Sequence, residues 1–330
     1  MPTIISANPT LLDVANRLDP HGKVPLIVEM LSETNEVLAD ATAIECNDGT
    51  GHKTVVRTGI PRAAWRKLNY GVAAGKSQTA QVRDTCGMLE QYAKVDKALI
   101  EMSGDPAGFR MSEDRAFLEG MSQDMASTIF YGDTDVNPER FLGLAPRYDD
   151  RVNAESRDNI LVGGGAGSTN TSVWLVGWSP NTIHALYPKG SQAGVRHRDL
   201  GEDTATDAVG GEFQIMRTHY KWDMGLTVRD WRYAVRICNV DVAALTKNAA
   251  TGADLIDLMT QALELVPNNG GVRWAFNANR TISSFLRRQI NSKSNINLSL
   301  ENFAGKRALA FDGVPIRRVD ALLNTEATIV

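Results

Sequence analysis

Residues 213–240 constrain the fold more than any other stretch. Tyr220, Trp222, Met224, Leu226 and Val228 alternate with His219, Lys221, Asp223, Gly225, Thr227 and Arg229. A period of two marks a strand with one buried face. At about 3.3 Å per residue, 217–229 spans roughly 40 Å, about twice an ordinary strand. The parity then reverses, and Trp231, Tyr233, Val235 and Ile237 become the apolar set. That reversal requires a bend, bulge or turn near Arg229–Asp230. The run also mixes aromatic and basic residues, the ingredients of a stacking platform for single-stranded nucleic acid. Tyr220 and Trp222, however, point opposite to Arg217, Lys221 and Arg229, so the two kinds of group do not converge.

Bulk properties narrow the class. The 330 residues are 43% hydrophobic and 22% charged, the profile of a folded soluble protein with ample material for a core. A net charge of −4 speaks against a dedicated nucleic-acid binder, though not against a protein that encloses nucleic acid. Cys46, Cys86 and Cys238 are odd in number and far apart, with neither metal-ligand spacing nor a disulfide framework. A reducing compartment is therefore expected. The N-terminal stretch lacks a signal-peptide pattern and no apolar run reaches membrane-spanning length, so synthesis in a cytosol and no membrane partner are expected.

Along the chain, 1–25 is a proline-containing segment too poor in apolar residues for its own core, and reads as an arm. Residues 26–62 read as strands around the polar turn NDGTG, where Asn47, Asp48, Gly49 and Gly51 supply hairpin chemistry. Val82, Cys86, Leu89, Ala93 and Leu99 suggest a long helix over 79–103, ended by SGDP. A second helix is expected after Ser112, with Phe117, Met121, Met125, Thr128 and Ile129 on its apolar face. Further on, 173–190 reads as strand, turn, strand. Residues 253–266 form the clearest amphipathic helix, and Asn279 reads as the N-cap of another over 279–291. Short strands close the chain. Helices and strands mix without a βαβ rhythm, so the class is α+β.

Motifs that carry chemistry are weak. GVAAGKS at 71–77 resembles a phosphate-binding loop, but Tyr70 stands where the first glycine belongs and no buried strand precedes it. GGGAG at 163–167 lacks dinucleotide spacing because Ser168 replaces the third glycine. A nucleotide- or sugar-binding enzyme built on either loop is the alternative reading. His197 with Asp199, and His219 with Asp223, can be drawn as acid–base pairs, yet cross-strand charge pairing accounts for the latter without chemistry. No catalytic, cofactor or metal set is expected.

Several passages together resemble a known family: TIFYGDT with PERFLGLAPRYDD, TSVWLVGWSPNTIHALYPKGSQAGV (171–195), the ribbon itself, and RWAFNANRTISSFLRRQ through FDGVPIRRVDALLNTEATIV (273–330). They are similar to the gene 7 family of major capsid proteins from short-tailed, epsilon-15-like bacteriophages. The resemblance implies the Hong Kong 97-type shell fold, with an N-terminal arm (1–25), an E-loop hairpin (26–62), and a peripheral domain (63–245). That peripheral domain would hold a spine helix at 79–103 and long strands at 213–240, followed by an axial-domain-like part at 246–330. It also implies a permuted order, since the 274–320 passage follows the long strands instead of preceding them. The implied function is a structural subunit that assembles as pentamers and hexamers into an icosahedral shell around double-stranded DNA. Scaffolding, portal and cement proteins are implied partners, and the virion the final location. Asn47, Asp48, Gly49, Gly51, Arg217, Lys221 and Arg229 are the expected contacts between copies.

Overall fold

A computed structural model describes residues 34–49, 51–102, 105–207, 210–245, 252–267, 270–292, 298–303 and 306–329. The expected arm at 1–25 and the start of the expected hairpin lie outside them. In chain order the elements are α1 (Val37–Asp40), β1 (Ala43–Glu45), β2 (Gly51–Gly59), β3 (Gln78–Asp96), α2 (Lys97–Met102) and α3 (Pro106–Tyr131). Then come β4 (Ile160–Val162), β5 (Asn170–Trp178), β6 (Ile183–Tyr187), β7 (Val195–Thr206), β8 (Glu212–Val228) and β9 (Ala234–Asp241). The remainder is α4 (Leu255–Leu265), β10 (Arg273–Ala278), α5 (Arg280–Ser292), β11 (Leu298–Phe303), β12 (Lys306–Phe311) and β13 (Val314–Arg318). Two compact units result, one from 88–126 with 194–223, the other from 35–87, 127–193 and 224–330.

In the larger unit β5 is central, antiparallel to β10 on one side and to β9 on the other. Beyond β10 lie β13, β12 and β11, and β4 runs parallel to β9. All nine residues of β5, NTSVWLVGW, are buried; the apolar run Val173–Trp178 accounts for six of them, and Asn170, Thr171 and Ser172 are buried polar residues. Val173 and Leu175 share a core with Leu255, Met259 and Ala262 of α4, Ile282 and Leu286 of α5, and Phe276 and Phe311. On the other face Trp174 meets Phe130 and, edge-on, Tyr148. α4 and α5 start within two residues of where the sequence predicts. Asp254 accepts from the N–H groups of Ile256 and Asp257, and Asn279 accepts from Ile282 N–H at 2.9 Å.

A second ladder in the same unit runs through β1, β6, β8, β3 and β2. Here three expectations need correction. Residues 79–96 are a strand, and only Lys97–Met102 is helical. The i, i+4 spacing of Val82–Cys86 and Leu89–Ala93 fits both periods, because four is also an even number. Thr79, Val82 and Thr85 then favour the strand, and Gly87 weakens a helix. The long helix is α3, which begins before Ser112. Asp105 caps it by accepting from Gly108 N–H at 3.0 Å, and Pro106 sits where its missing donor costs nothing. DP therefore opens a helix instead of closing one.

The second correction concerns the hairpin. β1 pairs with β6, in parallel, and the NDG turn is not the tip between two paired strands. β2 pairs antiparallel with β3, from Gly51↔Thr85 to Gly59↔Gln78. The tip is therefore 60–77. Third, no boundary falls at 245/246, since β5, β6 and β9 share one unit and β5 and β9 share one core with the C-terminal helices and strands.

The smaller unit holds β7, the 212–223 part of β8, the second half of β3, α2 and α3 as far as 126. β7 and β8 pair from Val195↔Trp222 to Thr206↔Glu212, with a register shift at Asp199/Gly201 where Gly201 adopts φ 75°. Tyr220, Met121 and Ala93 form one buried cluster, and Val95, Leu99, Ile100 and Phe109 another. The parity reversal in the ribbon is the turn at 229–233 between β8 and β9.

Candidate assembly arm and its root

The β2–β3 hairpin carries an unusual composition. From Lys53 to Arg83 there are seven basic residues and no Asp or Glu. Its tip, 60–77, has no regular structure, and Asn69 there adopts φ 67°. Ile60, Leu68, Tyr70 and Val72 are exposed, and Trp65 is fully so. A chain cannot fold by leaving its indole in water, so these side chains gain nothing from the fold that carries them.

The root of this arm is held by buried polar chemistry. Asp84 of β3 is buried, receives Arg147 Nη2 at 2.8 Å, and accepts from the Thr227 hydroxyl of β8. Arg147 also donates to the carbonyls of Gly143 (3.2 Å), Leu142 and Leu226 (both 3.3 Å), so one guanidinium ties three segments together. Beside it His52 of β2 and His184 of β6 meet edge-on, with centroids 5.8 Å apart. His184 is completely buried. Burial, then the charges of His52 and Arg229, push its pKa down to about 4, and the same burial and Arg229 lower His52.

The predicted contact residues divide between the two units and all have partners within the chain. Asn47 clamps Lys53 by both backbone groups, at 2.7 and 2.8 Å. Asp48 bonds Gly49 N–H at 2.8 Å and faces Lys53 (3.4 Å) and Arg83 (3.7 Å). A Cβ at Gly51 would lie 2.5 Å from Asp84 O, so that glycine is required by close approach. These residues build the root. Arg229 donates to Pro180 O at 3.1 Å. In the other unit Arg217 pairs with Asp203 at 2.8 Å and lies over the Tyr92 ring, and Lys221 pairs with Glu90 at 2.6 Å. His219 and Asp223 do not pair with each other. The histidine stacks on Tyr92 and reaches Glu90 at 3.2 Å, whereas Asp223 binds Arg196 and Lys221. Sequence reasoning missed the tip itself, although its signal, an acid-free stretch with scattered large apolar residues, was in plain view.

Neither glycine loop is a phosphate cradle. Residues 71–77 form no strand–turn–helix. In 163–167, Gly163 and Gly165 donate to Cys238 O and Asn239 O, and a Cβ at Gly165 would lie 2.5 Å from Asn170 Oδ1. Those glycines serve close packing. Among the described residues no group of three or more His, Cys, Asp or Glu side chains is placed to hold a metal, and no helix is long and apolar enough to cross a membrane.

Comparison with known proteins gives these features a context. A model of the major capsid protein GP7 family matches residues 19–330. The near-atomic structure of bacteriophage epsilon15 contains a chain 41% identical to this one, covering 100% of this chain and 99% of that one, with a TM-score of 0.77. More distant likenesses include the bacteriophage JBD30 capsid (12% identity, 89% and 92% coverage, TM-score 0.47) and the SrpI encapsulin of Synechococcus elongatus PCC 7942 (11%, 71% and 97%, 0.45). Curated proteins yield no match. The molecule is thus a structural subunit of a phage capsid, with the Hong Kong 97-type fold. It belongs to the major capsid protein GP7 family.

Proposed function

We propose that copies of this chain assemble as pentamers and hexamers into an icosahedral shell around double-stranded phage DNA, and that the β2–β3 arm is what grips the neighbouring copy. The observation that carries this reading is the tip, 60–77, apolar and cationic yet without a cover among the described residues. A second copy offers complementary chemistry. Asp135, Glu139, Asp149 and Glu155 are exposed, together with Val136 and Val152 and interspersed with the exposed Arg140, Arg151 and Arg157. Opposite charge steers such contacts and fixes register, while repetition around closed symmetry supplies the stability that single exposed ion pairs lack. Scaffolding, portal and cement proteins complete the proposed set of partners, and the host cytoplasm is the proposed site of synthesis. The position of 274–320 after the long strands is read as an altered wiring of the shell fold. A Hong Kong 97-type subunit outside the GP7 family with the same element order would remove that reading.

Replacing 61–76 by a short Gly-Ser turn tests the arm. Soluble, folded subunits that form no shells in electron micrographs are expected. Normal shells would sink the proposal. Intact shells that lose only salt-sensitive DNA retention would reassign the tip to nucleic acid.

A further inference from the structure

Two of the three cysteines meet at the arm's root. Cys46 follows β1 and is fixed by its backbone N–H to Tyr187 O of β6 at 2.9 Å. Cys86 lies on β3, half-buried, and the two sulfur atoms are 3.3 Å apart. A disulfide bond is about 2.05 Å long. Closing the remaining gap calls for a change of side-chain rotamer at one or both cysteines. Room for the Cys86 sulfur is made by Gly225 of β8, where a Cβ would lie 3.1 Å from Sγ and 2.7 Å from Thr85 O.

We propose that Cys46 and Cys86 form a modification site: thiols in a reducing cytosol, and an intrachain disulfide once the chain meets an oxidising medium. The bond would close 46–86 into a covalent ring that contains both arm strands and the tip. It would tie β3 to the segment held on β6. Arms would then seat on their neighbours while the root can still adjust, and be fixed afterwards, when particles leave the cell.

A low-molecular-weight disulfide, such as oxidised glutathione, serves as oxidant. The more accessible Cys86 loses its proton to solvent, and its thiolate attacks one sulfur of the reagent. One small thiolate is expelled and a mixed disulfide forms. Cys46, deprotonated in turn, attacks the Cys86 sulfur and expels the second small thiolate. The protein gives up two protons and two electrons, and the reagent becomes two thiols. Burial pushes the Cys46 thiol up, an effect opposed by its hydrogen bond with Cys86 and reinforced by Glu45 and Asp48, so the second step sets the pace. Cys238, fully buried in β9, serves as an internal control.

The full chain is incubated with oxidised glutathione or with dithiothreitol and then mapped by mass. Under oxidation two of three thiols are expected to disappear, and the tryptic peptide ending at Lys53 should link to Asp84–Lys94. Cys46→Ser and Cys86→Ser each abolish the link, and Cys238→Ser does not. A second measurement needs no variant. Limited trypsin cuts the exposed tip after Arg66 or Lys67, and the fragments should stay joined on a denaturing gel only when run without reductant. Three retained thiols, a glutathione adduct that persists, or linkage between chains would each overturn the proposal.

Discussion

β5 and the arm tip lie in the same unit and have opposite relations to it. Every residue of β5 is buried, and Val173 and Leu175 pack into the core of that unit. The tip holds residues just as apolar, Ile60, Trp65 and Leu68, in contact with solvent. The difference teaches that hydrophobicity is spent on two tasks here. In β5 it stabilises the subunit. In the tip it is left in water by the isolated subunit, and its proposed use is contact between copies.

Substitutions can break this contrast at either end. The largest loss is expected from Glu326→Ala. Glu326 pairs with Arg236 at 2.8 Å, both are nearly inaccessible, and Arg236 also donates to Ser172 Oγ and Tyr148 O. Leaving that guanidinium buried and unpaired costs about 3–5 kcal/mol, measurable as a lower denaturant midpoint of dissociated subunits. A loss below 1 kcal/mol would mean that water reaches the pair.

His184 supplies the next effect, as a pH dependence. Its folded pKa of about 4 lies below the ordinary value of 6.5, so the unfolded chain takes up the proton first. Stability is full above pH 6.5 and falls as pH drops toward 4, by about 2 kcal/mol at pH 5. His184→Gln should flatten that slope in denaturant titrations at pH 7 and 5. An unchanged slope would assign the loss to other groups.

Asn279→Ala should cost about 1–2 kcal/mol, since it removes a helix cap and the bonds to Thr171 and Asn324. Thermal unfolding reads it directly, and no change would show that the cap is redundant. The smallest stability effect belongs to the tip. Trp65→Ser is expected to shift stability by less than about 0.5 kcal/mol while assembly, followed by sedimentation, is lost. A markedly destabilised subunit would show that the indole serves its own fold, and the contrast with β5 would fail.

Much of this architecture is legible in the residues. The period-two ribbon, the turn after Arg229, Asp254 with α4 and Asn279 with α5 all follow from local rules. What fails is non-local. Nothing near Ala43–Glu45 announces that its partner is Ala185–Tyr187, so NDG reads as a hairpin tip when it is a clamp at the root. The 79–96 strand was concealed by a four-residue spacing common to both periods. The tip reads as a mere connector because composition reports exposure without saying what will cover it.

The Arg236–Glu326 pair has a consequence for biosynthesis. Glu326 is made ninety residues after Arg236. A chain released between those points holds a desolvated guanidinium with no carboxylate to meet it, so it cannot complete its core. Prematurely ended chains are therefore expected to be kept out of a shell built from such subunits. A chain ended at residue 325 should accordingly be absent from shells when co-expressed with the full one; its incorporation at normal yield would show that no such screening operates.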